Sequence, residues 1–329
     1  MADDPIMTML TGSTFTYVGY ALAKLGVADS LSDKPKDVET LATATGTESS
    51  ALLQLLRTGV YLGLFTEAPE RHFTLTDAGR QLRADAPRSR RASLLRNVER
   101  NGPILTEILH TMRTGRPAYE KVHGISFYDR REDTYQQEVG GSPHVESMLA
   151  GYDFSGAETL VDVAGGHGDA LVSVLRGNPG LTGVLFDVPR NIELAREVVP
   201  EELSGRCRLV AGSFFDSVPP GGDVYTVARS LHNWSDGEVL TILKNIRAAI
   251  RPSGRLLVAE RLMAADISQR ETMTVFLDFF MLLLNGGRER TEDEYRRLLE
   301  QAGFAVTGVR YSTAPPQAPA ESLLEAVPD

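Results

Sequence analysis

A doubly wound, mostly parallel α/β sheet, preceded by a smaller and mainly helical winged-helix region, is the fold class this sequence predicts. Three observations carry that reading. From about residue 155 apolar strand runs alternate with helix-period segments, as in a sheet built from strand–helix–strand units. Before residue 100, leucines recur at helical spacing and a short hairpin pattern follows them. The length of 329 residues suits two domains of roughly 150 residues each. The expected divisions are 1–100 for the winged helix, 101–154 for a helical linker or lid, and 155–329 for the sheet.

In the first part Leu22, Leu25, Leu31, Leu41, Leu52, Leu53, Leu55 and Leu56 mark helices, and Gly26 and Gly46 fall where helices should end. Tyr61–Phe65 and His72–Thr76 flank a polar turn and predict a hairpin; Asp77 opens a further helix. A winged helix raises DNA binding, and Arg88, Arg90, Arg91, Arg96 and Arg100 form a basic run. Residues 1–158 nevertheless carry 17 Lys plus Arg against 21 Asp plus Glu, a balance unlike that of a nucleic-acid reader. Dimerisation is the other common use of such a domain. Phe15, Tyr17, Leu22 and Leu25 are its candidate surface.

In the second part strands are predicted at 159–164, 181–188, 206–211, 223–230, 255–262 and 304–311, with an edge strand at 322–327. Helices are predicted near 169–176, 190–199, 235–250, 270–284 and 291–302. Ser235…Glu238 and Thr291…Glu294 read as capping boxes that open two of them. Met273–Leu284 is too short to span a bilayer and contains Asp278, so it reads as a buried helix. The stretch 138–155 looks short for lid helices, and 314–319 reads as a Pro/Ala loop.

Composition narrows the function. At 42% apolar and 24% charged the chain is an ordinary globular protein. Its single cysteine, Cys207, excludes a disulfide framework and a cysteine zinc site. The net charge of −10 disfavours nucleic acid and anionic lipid as partners. The first ten residues lack a signal-peptide pattern, so a cytoplasmic protein is expected. The histidines show no metal-ligand spacing, and no metal is expected.

Asp162-Val-Ala-Gly165-Gly166-His167-Gly168 follows the first strand of the second part and opens a helix. Glycines there let backbone approach a ligand closely. A dinucleotide pattern starting at Gly166 would need glycine at 171, where Leu171 stands. Asp162 would repel a pyrophosphate and suits a cationic ligand; S-adenosylmethionine carries a sulfonium, an ammonium and no phosphate. Asp187, at the end of the second of these strands, can accept from ribose hydroxyls. Ser213, Phe214 and Phe215, after the third, can hold an adenine by hydrogen bonding and stacking. Arg229, near the fourth, is a candidate cofactor contact.

The strings Leu160-Val-Asp-Val-Ala-Gly-Gly-His-Gly168, Phe186-Asp-Val-Pro189, Leu231-His-Asn-Trp-Ser-Asp236 and Gly286-Gly-Arg-Glu-Arg-Thr291 together resemble the class I SAM-dependent O-methyltransferases. The resemblance is to the plant caffeate-type and bacterial antibiotic-type group. It covers nearly the whole chain and implies a winged-helix dimerisation domain, hence a homodimer, ahead of a seven-stranded methyltransferase sheet. It also implies S-adenosylmethionine as methyl donor, with S-adenosylhomocysteine as product, and an aromatic small-molecule acceptor from secondary metabolism. Ala164 stands where the group usually has its first glycine, Ser213 where an adenine-binding Asp is common, and Asn233 where Asp often follows the histidine.

His232 lies just past the fourth strand. A phenol has a pKa of about 10 and needs deprotonation, and a histidine with a pKa of about 6.5 is a suitable general base. The resemblance places Glu260 and Glu289 beside it, to fix the tautomer and stabilise the protonated ring. Phe276, Phe280, Met281 and Asn285 are candidate acceptor contacts. C- or N-methylation on the same fold and a winged-helix ligand-sensing regulator are the alternative readings.

Overall fold

The structure is a computed structural model that describes residues 4–31, 34–128, 143–264, 272–311 and 321–329. The chain forms two compact units, Met1–Ile108 and Leu109–Asp329.

In the first unit Asp4 caps α1 (Pro5–Lys24) by accepting from the Ile6 and Met7 amides. Then come α2 (Val27–Ser30), β1 (Lys36–Asp37), α3 (Val38–Thr45) and α4 (Ser49–Tyr61). Gly26 and Gly46, at φ 67° and 66°, end helices in the left-handed region as the sequence predicts. The hairpin of β2 (Phe65–Ala68) and β3 (His72–Leu75) starts later than predicted. Helix α4 runs on through Tyr61, and only after Gly63, at φ 74°, does the chain extend. The order is β1-β3-β2. Three further helices follow, α5 (Asp77–Arg80), α6 (Arg91–Glu99) and α7 (Asn101–Thr106). Leu22, Leu31, Leu41, Leu52, Leu56, Phe65 and Phe73 form the core. The grouping of Leu22 with the dimer surface is therefore corrected. Five residues are about 140° of helix, so Leu22 is 0% exposed while Tyr17 is 58% exposed.

Helix α8 (Ile108–Thr114) bridges the boundary, and α9 (Ala118–His123) and α10 (Pro143–Ala150) lead into the large sheet. Its elements are β4 (Thr159–Val163), α11 (Asp169–Gly177), β5 (Thr182–Asp187), α12 (Pro189–Val198), β6 (Cys207–Ala211), β7 (Val224–Ala228) and α13 (Asp236–Ala249). These are followed by β8 (Arg255–Arg261), α14 (Thr272–Leu284), α15 (Glu292–Gln301), β9 (Phe304–Tyr311) and β10 (Glu321–Pro328). Both predicted capping boxes are present. Strand order is β6-β5-β4-β7-β8-β10-β9. The first five strands are parallel, and β10 is antiparallel to both neighbours. Order reverses between β4 and β7, so a ligand crevice opens at their C-terminal ends. Residues alternate across β4, with Leu160 in the core on one face and Val161 and Val163 in the core on the other.

Two expectations are corrected here. Residues 322–327 do not form an edge strand. Leu323, Leu324 and Ala326 are buried because β10 lies between β8 and β9, and the half-exposed β9 is the edge. Helix α14 is not wholly buried either, since Phe276 and Phe279 are 50% and 40% exposed. Residues 138–142 of the expected short lid and the Pro/Ala loop lie outside the described residues.

Candidate active site

The glycine loop leaves β4 through Ala164, which takes a left-handed φ of 57°. A side chain on Gly165 would put its Cβ 2.3 Å from Asp162 Oδ2 and 2.5 Å from Leu185, so only glycine passes over the aspartate. Asp162 is 2% exposed. Its Oδ1 accepts from Thr226 Oγ1 at 2.6 Å, while Oδ2 is sealed and among the described residues has no hydrogen-bond partner. Burial, assisted by the charge of Asp187, pushes its pKa up to about 7 against the Thr226 hydrogen bond. Asp187 Oδ2 accepts from the Gly166 amide at 2.8 Å, and Oδ1 accepts from the Val188 amide and Asn191. Burial raises its pKa too. This carboxylate ties the second strand's end to the glycine loop.

After β6, Ser213 Oγ accepts from the Phe215 amide. Phe214 and Phe215 meet edge to face at 4.8 Å, and both meet Trp234, at 5.8 and 4.9 Å. Tyr128 stacks on the same indole at 4.9 Å. Trp234 thus joins the loop after β6 to the turn that carries His232. The sequence reading took it only as part of a motif.

His232 sits in the short turn after β7 and is 6% exposed. Its Nδ1 is 2.7 Å from Glu260 Oε2. Burial alone would raise the Glu260 pKa; the His232 and Arg229 charges and hydrogen bonds from His232 outweigh it and hold the carboxyl well below its usual range. An ionised carboxylate only accepts, so Nδ1 carries a proton, and in the neutral form of the ring the lone pair lies on Nε2. Among the described residues Nε2 has no hydrogen-bond partner, and it is not sealed from solvent. Glu289 stands farther off, 4.0 Å from Nδ1.

Arg229, read from the sequence as a cofactor contact, lies at φ 48° with its guanidinium 3.3 Å from Glu260 and 3.1 Å from Glu289. Arg261 is 3.6 Å from Glu289. His232, Glu260 and Glu289 offer ligand atoms within 4.8 Å of one another, a spacing open to a metal ion. Their carboxylates are met here by the two guanidiniums.

The turn is held from several sides. Glu260 Oε1 accepts from the Ser230 and Leu231 amides at 2.9 and 2.8 Å. Fully buried Arg290 donates to the Leu231 and Trp234 carbonyls, and the Arg288 amide donates to the His232 carbonyl at 2.8 Å. A Cβ on Gly287 would lie 2.4 Å from that carbonyl oxygen. Asn285 donates to Asn233 Oδ1 at 2.9 Å and to the Tyr128 hydroxyl at 2.8 Å. One turn earlier on α14, Phe280 and Met281 are buried, and Phe276 stacks on Phe280 at 5.7 Å. Sequence reasoning missed Arg261, Arg290 and Tyr128. Arg290 alone left a signal, as the last arginine of the Gly-Gly-Arg-Glu-Arg-Thr string.

Residues 105–305 match a family described as the O-methyltransferase domain, and residues 7–85 match the O-methyltransferase dimerisation domain. The phenazine O-methyltransferase PhzM of Lysobacter antibioticus is 34% identical, over 98% of this chain and 95% of its own. The solved structure of the mitomycin 7-O-methyltransferase MmcR superposes with a TM-score of 0.84 at 30% identity, covering 100% of this chain and 98% of the other. The neocarzinostatin-biosynthesis O-methyltransferase NcsB1, solved with S-adenosyl-L-homocysteine and 1,4-dihydroxy-2-naphthoic acid, gives 0.73 at 31% identity and 96% coverage of both chains.

Proposed function

The chain belongs to the O-methyltransferase family and is a SAM-dependent enzyme, and from that premise we propose that it methylates a hydroxyl of an aromatic secondary metabolite with His232 as general base. The single observation that carries the base is the 2.7 Å contact from Nδ1 to Glu260, which leaves Nε2 free to take a proton. The cofactor supplies an electrophilic methyl group on a sulfonium. The residues suit it: at Gly165 a loop with no room for a side chain runs over a buried carboxylate, one oxygen of which has no hydrogen-bond partner among the described residues, and Asp187, Ser213, Phe214 and Phe215 line the following strand ends.

Transfer is an in-line displacement, so the chain's task is to align the acceptor and remove its proton. Nε2 takes the phenolic proton, and Glu260, assisted by Glu289 through Arg229, stabilises the imidazolium. Phe276, Phe280, Met281 and Asn285 form the acceptor side. We infer further that the enzyme is a homodimer through its first unit, resides in the cytoplasm and has no nucleic-acid partner.

His232→Ala should keep SAM affinity and cut turnover of an ordinary phenol roughly 100- to 10,000-fold. A phenol already ionised at the assay pH should lose far less. Equal losses for both acceptors would show that His232 positions substrate and does not take the proton.

A further inference from the structure

Behind His232 a line of buried charges runs to the last strand. The register of β10 against β8 sets Glu321 opposite Arg261, and Ser322 opposite Glu260. Glu321 Oε1 accepts from Arg261 Nη2 at 3.3 Å, and Arg261 Nη1 lies 3.6 Å from Glu289 Oε1. The other oxygen of Glu289 is the one 4.0 Å from His232 Nδ1. Arg261, Glu321 and Glu289 are 4%, 3% and 4% exposed. Taking charges out of water costs stability, and an apolar pair of the same volume often serves a fold as well. A strand junction alone therefore gives no reason for an arginine and a glutamate here. Glu289, beyond them, gives one.

Charged and titratable groups reach this cluster from each neighbouring element. Glu260 comes from β8, and Arg229, just after β7, lies between the two glutamates. The segment 285–291 brings Arg288 and Arg290, whose guanidiniums pair with Asp236, and Arg288 also pairs with Glu294. Asp278 of α14 accepts from the Glu289 amide at 2.8 Å. Tyr295 of α15 is kept protonated by burial and by the Glu260 and Glu289 charges. The Glu321 charge is felt within the cluster: burial opposes the charge of Arg229, and Glu289, Glu260 and Glu321 outweigh that penalty.

We propose that Arg261 and Glu321 are positioning residues of the base: Glu321 holds Arg261 against Glu289, and the opposed charges of the pair set how readily His232 takes the acceptor's proton. In that step the proton passes from the acceptor oxygen to Nε2, and the electron pair stays on the oxygen that attacks the methyl group. The pair acts through Glu289. Arg261 draws on the charge that Glu289 offers the imidazolium, and Glu321 restrains Arg261 from drawing too much. This inference rests on the general-base reading of His232.

The test follows the His232 ring by NMR in protein labelled with 15N-histidine and loaded with S-adenosylhomocysteine, its signal assigned by its loss in His232→Gln. Wild type, Glu321→Gln, Arg261→Met and the double variant are titrated from about pH 5 to pH 9, a range in which an ordinary phenol keeps its proton. Glu321→Gln removes a negative charge and should move the midpoint down by roughly 0.5–1.5 pH units; Arg261→Met removes a positive one and should move it up by a similar amount. The double variant should return close to wild type, whereas losses from a purely structural pair would not cancel. Should Arg261→Met fail to fold alone, the double variant compared with Glu321→Gln isolates the same charge. A ring that titrates at one pH in all the proteins, or in none, overturns the proposal. So do single variants that shift it in the same direction, or a Glu321→Gln protein that does not fold. In parallel, kcat/KM for 2-naphthol with SAM is measured against pH in each protein, and its acid limb should follow the NMR midpoint. A limb that does not follow it would defeat the general-base reading alone, and the NMR shifts would still report on the pair.

Discussion

Asp162 shows at the scale of one residue what burial costs and what it permits. Its folded pKa of about 7 lies above the unfolded value of about 3.9. The stability tied to the neutral form is complete below about pH 4 and is lost as pH rises through about 7. Asp162→Asn keeps an oxygen for Thr226 and cannot ionise. Relative to this variant, wild type should lose up to about 4 kcal/mol of stability between pH 4 and pH 8, read as urea midpoints at each pH. A constant difference across that range would mean the carboxyl ionises freely in the fold. The position of Asp162 at a strand's end was legible in the sequence, because strands and the loops after them leave local patterns. Its partner was not, since Thr226 lies 64 residues away. The same holds for Arg229: its closeness to a strand end could be read, but its two glutamate partners come from β8 and the loop after α14, and only the folded sheet brings them together.

The turn that carries His232 is an element held by another element. The segment 285–291 lies along it, supplying Arg288, Arg290 and the carbonyl-hugging Gly287. Gly287→Ala must push the His232 carbonyl aside. A displacement near 1 Å at a reacting group costs roughly 100-fold, so turnover should fall by about that factor while calorimetry shows unchanged SAM affinity, because the glycine loop lies on other strands. Loss of both together would show that the two sites are one mechanical unit. Element types were mostly readable, through helical leucine spacing and capping boxes at Ser235 and Thr291. The hairpin's start was misplaced because Tyr61–Phe65 is apolar enough for a strand, while the helix before it had not yet ended.

For the whole molecule, α1 presents Ile6, Met9, Leu10 and Tyr17 at 61%, 72%, 64% and 58% exposed. So much apolar surface on one helix calls for cover. Light scattering at micromolar concentration should give a dimer for wild type and a monomer for the double variant Met9→Glu, Leu10→Glu; a dimer that survives both charges would put the interface elsewhere. The other large-scale feature is the place of β10, which follows every other strand of its sheet in sequence yet sits inside that sheet. Until it emerges from the ribosome, β8 has a bare edge along Leu256, Leu257 and Val258, all 0% exposed in the finished fold. Biogenesis thus has a vulnerable interval: a nascent chain halted after β9 should be cut readily by added protease and bound by chaperones, and one halted with residue 329 clear of the exit tunnel should resist both.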